Sequence, residues 1–345
     1  MSRLPIAVVG AGAIGRKHAA ALAQSDKARL AAIVDPAPGA AALASAQGVA
    51  HVTSLADLPP ETRGVILATP TGLHLPQALG CIARGLPVLV EKPVTATAAE
   101  AAELVAAAGA EGVPVLVGHH RRHNPRIAAA KQALAEGLLG RVIAAHVSVL
   151  LCKPDDYFLP DWRRQAGAGP ILTNLIHEVD TLRHLLGEVA EVQALSSNAV
   201  RGHAVEDSAA ALLRMESGAL VTISVSDAAA APWSWELTAG ENPDYPVTGQ
   251  SCLTLSGTRA SMELPSLRIW RPDGPLSWFT PMATETLPVT QIDPLVAQID
   301  HFTAVIRGQA VPLVTASDAA ASLGVVEAIA RAAQVERFQT EGMAS

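Results

Sequence analysis

Aromatic residues are nearly missing from this 345-residue chain: they make up 3% of it, which leaves little material for stacking nucleic-acid bases. Basic residues are outnumbered by acidic ones, and a net charge of -7 argues against a phosphate-backbone partner. The three cysteines, Cys81, Cys152 and Cys252, are odd in number, far apart and never in a CxxC pair, so neither a disulfide framework nor a thiolate zinc site is expected. No apolar run approaches 18 residues, and the N-terminus lacks the pattern of a signal peptide. A cytoplasmic protein with no nucleic-acid partner and no membrane partner is expected. What the chain does have is aliphatic bulk: 50% hydrophobic and only 17% charged residues indicate a globular protein. Its length exceeds what one core usually serves, so two domains are expected, with no internal repeat or low-complexity linker between them.

The stretch LPIAVVGAGAIGRKHAAAL runs from an apolar strand through Gly10, Gly12 and Gly15 into a helix-forming segment, and the next strand, LAAIVD, ends at Asp35. This is the dinucleotide fingerprint in its required context. Gly10 permits the tight turn, Gly12 admits the pyrophosphate, and Gly15 lets helix and strand pack closely. Ala13 and Ile14 complete the turn as candidate cofactor contacts, with the pyrophosphate at the helix N-terminus. Asp35 is placed to accept hydrogen bonds from the adenosine ribose hydroxyls and to repel a 2'-phosphate, so NAD is preferred over NADP.

Further strands fit GVILAT, PVLVEK and VPVLVG, separated by helix-forming segments. That alternation means a parallel sheet whose ligands lie beyond the carboxyl ends of its strands. Thr69, Pro70, Glu91 and Lys92 all fall at such ends, and His74 is placed to cap or line the loop after Thr69. A lysine there can fix a substrate hydroxyl and stabilise negative charge developing on its oxygen.

After Gly118 the pattern changes. HHRRHNP leads into a helix and a long strand, then into strand-like runs AEVQALSSNA, DSAAALLRMESGALVTISVSDA, WSWELTAG, SCLTLSG and ASMELP, with hairpin turns at Met215–Ala219 and Leu255–Ala260. The fold expected is α/β: a Rossmann dinucleotide-binding domain over residues 1–122, followed by an α+β domain with a largely antiparallel mixed sheet over 123–345 that includes the C-terminal helices. ILTNLIHEVDTLRHLLG reads as one buried helix with Leu175, Val179, Leu182 and Leu186 on one side. Thr173, His177, Thr181 and His184 lie on the other, with Asn174 and Asp180 at its margins.

GAGAIG, ATPTGLH, EKP, HHRRHNP and this helix, in this order and spacing, resemble the glucose-fructose oxidoreductase, inositol 2-dehydrogenase and rhizopine-catabolism family of NAD(P)-dependent dehydrogenases. The resemblance covers nearly the full length. It implies hydride transfer between nicotinamide and a hydroxyl-bearing substrate carbon. It also implies a homodimer or homotetramer, often assembled through the open sheet face. The family's lysine and histidine map onto Lys92 and His177, whereas its usual aspartate four residues before the histidine is Thr173 here, which holds no charge. An Asn174, His177 and Lys92 arrangement is therefore expected, with Asp180 close enough on the helix to support the histidine. Histidine suits both proton removal and return near neutral pH.

The expected substrate is a small sugar, polyol or cyclic diol. Candidate substrate contacts are Lys92, Arg121, Tyr157, Trp162, Arg163, Thr173, Asn174 and His177, the arginines being suited to a carboxylate fork. Two alternatives stand beside this reading: a dehydrogenase of a carboxylated cyclohexadiene diol, and a non-catalytic NAD-responsive regulator. No metal is expected, because His119, His120 and His123 are interrupted by arginines and no spaced carboxylate or cysteine completes a ligand set.

Overall fold

The computed structural model describes residues 2–334. They form two compact units, one comprising residues 2–128 together with Val289–Gly324, the other Ala129–Pro288 with residues 325–334.

The first unit is built on six parallel strands: β1 (Leu4–Val9), β2 (Ala28–Val34), β3 (Ala50–Val52), β4 (Gly64–Leu67), β5 (Val88–Val90) and β6 (Val115–Val117). Their order is β3-β2-β1-β4-β5-β6, so the chain winds outward from β1 and then returns to the other side of it at β4. Ligand crevices of parallel sheets open at this reversal. The strands are short and almost wholly buried, which is why they read as continuous Val, Ile, Leu and Ala runs without alternation. β3 is only three residues long, at the sheet edge, and carries no hydrophobic run of its own in the sequence.

The segment Val289–Gly324 joins this first unit, in contrast to the contiguous 1–122 and 123–345 division expected. The reason is twofold. Helix Pro294–Ile306 buries Phe302 where Gly64 has no side chain, since a Cβ on Gly64 would sit 3.1 Å from the Phe302 ring and 2.7 Å from Ile306. Farther on, Val314 accepts the Val117 amide, pairing part of the β6 edge that would otherwise be left without partners.

The second unit carries eight strands: β7 (Val142–Leu150), β8 (Val189–Ser197), β9 (Ser208–Met215), β10 (Leu220–Ser226), β11 (Leu253–Gly257), β12 (Ser261–Leu264), β13 (Arg268–Pro272) and β14 (Met282–Thr286). The order is β14-β13-β12-β11-β7-β10-β9-β8, antiparallel except for the β7/β10 pair. This is the largely antiparallel mixed sheet expected. Both hairpins form: Met215 N–H donates to Ala219 O with Gly218 at φ +85°, and Gly257 N–H donates to Ala260 O. One expected strand is not a strand. In WSWELTAG, Trp235–Thr238 is a helical turn whose Ser234 oxygen accepts the Leu237 amide, so local capping chemistry overrides the β-prone tryptophans.

Alternation divides this sheet into two faces. Ala145, Val147, Val149, Leu213, Val221, Ile223 and Val225 are buried, and helix Leu175–Leu186 lies against β7. Their neighbours Ala144, His146, Ala210, Leu212 and Leu220 are exposed.

Candidate active site

In the first unit the glycine-rich turn links β1 to helix Ala13–Gln24. Gly10 has φ +97°, and a Cβ there would lie 2.5 Å from the Ala68 carbonyl oxygen; a Cβ on Gly15 would lie 1.9 Å from the Gly10 carbonyl oxygen. Neither position tolerates a side chain, because backbone occupies the space. A Cβ on Gly12 would meet nothing within 4 Å, so this residue faces open space at the first turn of the helix, where the Ala13, Ile14 and Gly15 amides have no partner within the helix. The turn thus fits a dinucleotide pyrophosphate, the fold closing around Gly10 and Gly15 and leaving Gly12 open to an anion.

A cavity of about 590 Å³ opens beside this turn, lined by Gly10, Gly12, Asp35, Thr69 and Pro70 among others, none of them cationic. Asp35 is held at its rim from two sides: Oδ2 accepts the Ala11 amide at 2.7 Å and Oδ1 the Ala37 amide at 2.8 Å. Thr53, Ser54 and Leu55 complete the wall. They follow β3, whose brevity hid them; only their place after a strand end could have marked them.

His74 is not on the cavity wall. It is buried, and its ring nitrogens lie 2.9 Å from Thr69 O and 3.0 Å from Pro93 O, so it clasps the loops after β4 and β5. Glu91 also turns inward. Its carboxylate sits 2.7 Å from His18 Nε2, with both side chains buried, and its other oxygen accepts the Lys92 amide at 3.1 Å. Burial by itself pushes the Glu91 carboxyl up, but the His18 hydrogen bond and charge, with His120 and Lys92 adding, hold it below its ordinary value. Gly118 leaves room for this pair, since a Cβ there would come within 2.9 Å of the carboxylate. Lys92 itself is half-buried just beyond β5.

His18→Gln keeps a hydrogen-bond donor for Glu91 but removes the imidazole, and is expected to cost about 1 kcal/mol at pH 7 in urea melts. Because the folded-state value of Glu91 is depressed, its contribution is complete above the ordinary carboxylate range and is lost as pH falls through the folded value. Parent and variant should converge on acidification; a gap that widens toward acid contradicts the pairing.

The arginines of HHRRHNP turn inward. Arg121 is 3% exposed, and Arg122 pairs with Asp318. The His123 ring lies 5.2 Å from His301. Among the described residues no group of three or more His, Cys, Asp or Glu could hold a metal ion.

In the second unit the expected single helix is two pieces, Pro170–Thr173 and Leu175–Leu186, broken at Asn174. Side-chain hydrogen bonds compete with the helix here: Thr173 Oγ1 lies 2.9 Å from Gly169 O and 3.0 Å from Asn174 Oδ1. The second piece is buried on every side from Leu175 to Arg183, so its polar residues do not form a solvated face. His177 is 8% exposed and Asp180 1%. The helix ends at Gly187, with Arg183 bidentate to Glu188.

The loop before it is tied together by Arg163, whose guanidinium lies 4.0 Å from the Tyr157 ring centroid and 5.2 Å from that of Trp162, and donates to Tyr157 O at 2.7 Å. Arg163 thus staples its own loop, and Trp162 is 60% exposed. The basic group that reaches Thr173 is Lys153, with Nζ 3.4 Å from Thr173 Oγ1 and 3.1 Å from Asp227 Oδ2. Lys153 belongs to the same charged stretch, but its partner Asp227 lies 74 residues on and is not legible from local sequence.

Comparison with known proteins agrees with this architecture. Residues 4–119 match an oxidoreductase family with an NAD-binding Rossmann fold, and residues 127–263 match the GFO/IDH/MocA C-terminal domain. The rhizopine catabolism protein MocA of Rhizobium meliloti is 28% identical over 99% of each chain. Inositol 2-dehydrogenase 4 of Saccharopolyspora erythraea is 32% identical over 64% of this chain and 66% of its own. The crystal structure of the WlbA dehydrogenase from Bordetella pertussis, in complex with NADH and UDP-GlcNAcA, is similar with a TM-score of 0.77 at 25% identity, covering 96% of this chain and 97% of that one. With a glycine turn that fits a dinucleotide and both domain types matched in order, the chain belongs to the GFO/IDH/MocA family of NAD-binding oxidoreductases.

Proposed function

We propose that this protein is an NAD-preferring dehydrogenase that oxidises a hydroxyl-bearing carbon of a small sugar, polyol or cyclic diol, with His177 as the acid/base and Lys92 fixing the reacting oxygen. The observation that carries the cofactor choice is the anchoring of Asp35 by Ala11 and Ala37 at the rim of a cavity with no cationic lining residue. A fixed carboxylate accepts ribose hydroxyls and repels a 2'-phosphate. Gly10, Gly12, Ala13, Ile14, Gly15, Thr69 and Pro70 would hold the rest of the dinucleotide. The names of the relatives support the substrate class, inositol among them.

NAD, when bound, supplies the hydride acceptor. Lys92 orients the substrate hydroxyl and stabilises negative charge on its oxygen, while His177 takes the hydroxyl proton and returns it in reduction. Thr173 and Asn174 hold each other at the break before the helix and so set where that helix begins. Tyr157, Trp162 and Arg163 act as a stapled loop, and neither Arg121 nor Glu91 is assigned to ligand binding.

The test is NADH formation over a panel of aldoses, inositols, cyclic diols and sugar acids with each nucleotide. Turnover with NAD exceeding that with NADP supports the reading. Tight NAD binding without turnover of any panel member would favour an NAD-responsive regulator instead.

Self-association is part of the same proposal. The exposed sheet face presents Leu212 and Leu220, each 53% exposed, among small residues, a surface suited to a second copy. Light scattering should give twice or four times the chain mass, and Leu212→Asp should lower it; an unchanged monomer mass for the parent sinks this part.

A further inference from the structure

Ahead of the His177 helix, Lys153 reaches residue 173. Arg163 is stacked on Tyr157, and Arg164 pairs with Asp161 in an exposed turn. The Lys153 side chain is 11% exposed. An ammonium has three N–H groups. One has Asp227 at 3.1 Å, a second has Thr173 Oγ1 at 3.4 Å, and the face of the Tyr157 ring lies 4.9 Å from the ammonium.

The carboxylate paired with Lys153, Asp227, is shared. Arg201 Nε lies 3.3 Å from Asp227 Oδ1, and its Nη2 donates to Asp227 O at 2.7 Å. Glu206, another carboxyl of this cluster, is turned to the Ile171 amide at 3.1 Å, and burial pushes it up toward its neutral acid. Glu236 contributes to the field at Lys153 from farther off. A desolvated ammonium with half a carboxylate and one long hydroxyl contact is under-coordinated, and buried donors are rarely left so.

We infer that Lys153 binds a carboxylate of the substrate, so that the protein acts on hydroxy acids of the sugar or cyclic polyol class in preference to neutral polyols. The inference rests on the reading that Thr173 to His177 meets the substrate. Thr173 favours the arrangement because its hydroxyl places no charge beside Lys153, leaving the cation for the ligand. Burial lowers the proton affinity of Lys153, and an incoming anion restores it. A neutral hydroxyl can take the same N–H, but a charge-assisted bond is about twice as strong.

The experiment measures binding of D-gluconate, D-glucuronate and quinate, against D-glucose and myo-inositol, to the full-length NADH-loaded protein by calorimetry, alongside NAD reduction by the same compounds. At least one acid should bind tighter than its neutral counterparts. Lys153→Met should cut that acid-to-neutral preference about 10–100-fold, while Lys153→Arg, which keeps the charge, should retain most of it. Arg201 remains beside Asp227 in both variants. Acids that bind no tighter than neutral polyols, a Lys153→Met protein with an unchanged preference, or no binding by any probe would each overturn the inference. Neutral polyols oxidised while acids fail to bind would remove Lys153 recognition and leave the dehydrogenase reading standing. Acids that bind through Lys153 without any compound reducing NAD would do the reverse.

Discussion

Replacing His177 with Ala is expected to lower kcat about 10²–10⁴-fold, the usual contribution of a positioned general acid/base. His177 is 8% exposed on a helix that is buried from Leu175 to Arg183, so water has little room to substitute for it as a base. The same burial means that Ala leaves a small void, and His177→Gln, which is closer in volume, is the control for packing. Both variants should bind NADH as the parent does, because the glycine turn and Asp35 belong to the other compact unit. In the oxidation direction the parent should show an acid limb in its kcat/KM profile, where a protonated imidazole has no lone pair to offer, and the variants should lose that limb. Rates within about threefold of the parent would reassign the base.

Asp35→Asn is expected to weaken NAD binding about 10–100-fold, the difference made by hydrogen bonds to an ionised acceptor. The carboxylate has two jobs at once: each oxygen already holds one backbone amide, Ala11 on the glycine turn and Ala37 on the following loop, and each keeps a further lone pair for a ribose hydroxyl. Asn preserves the shape but can accept on one side only, so one amide is left facing an NH2 group. Removing the charge also removes repulsion of a 2'-phosphate, and the NAD to NADP ratio of kcat/KM should fall even where both rates drop. NADH and NADPH fluorescence titrations separate the two effects. A variant with unaltered nucleotide preference would show that Asp35 only braces the loop.

Much of the candidate nucleotide site is legible along the chain because it is local. Gly10, Gly12 and Gly15 lie within six residues, and Asp35 ends the next strand. Where the structure differs, a side chain that reads as a ligand contact is held by other groups of the protein. Glu91 sits beside Lys92 at a strand end and reads as a ligand contact, yet it is claimed by His18, 73 residues earlier. His74 is likewise claimed by two carbonyls, and Arg163 by the aromatic rings of its own loop. Thr53 to Leu55 escaped notice because a three-residue edge strand buries too little to leave a hydrophobic pattern.

From residue order alone came the succession of a parallel-sheet nucleotide domain and a mixed-sheet domain, the turn chemistry at Gly10 to Gly15, and Lys92 and His177 as candidates for the chemistry. These follow from periodicity, glycine sterics and short-range spacing, all of which act over a few residues. Folding in three dimensions settled the rest. It brought Val289–Gly324 back to the first unit, gave Glu91 to His18, broke the helix at Asn174, and set Lys153 between Asp227 and Thr173. The helix break comes from local bonds of Thr173; for the other three, a polar group, a strand edge or an apolar side chain must be satisfied, and which distant residue does so depends on packing rather than on neighbours in the chain.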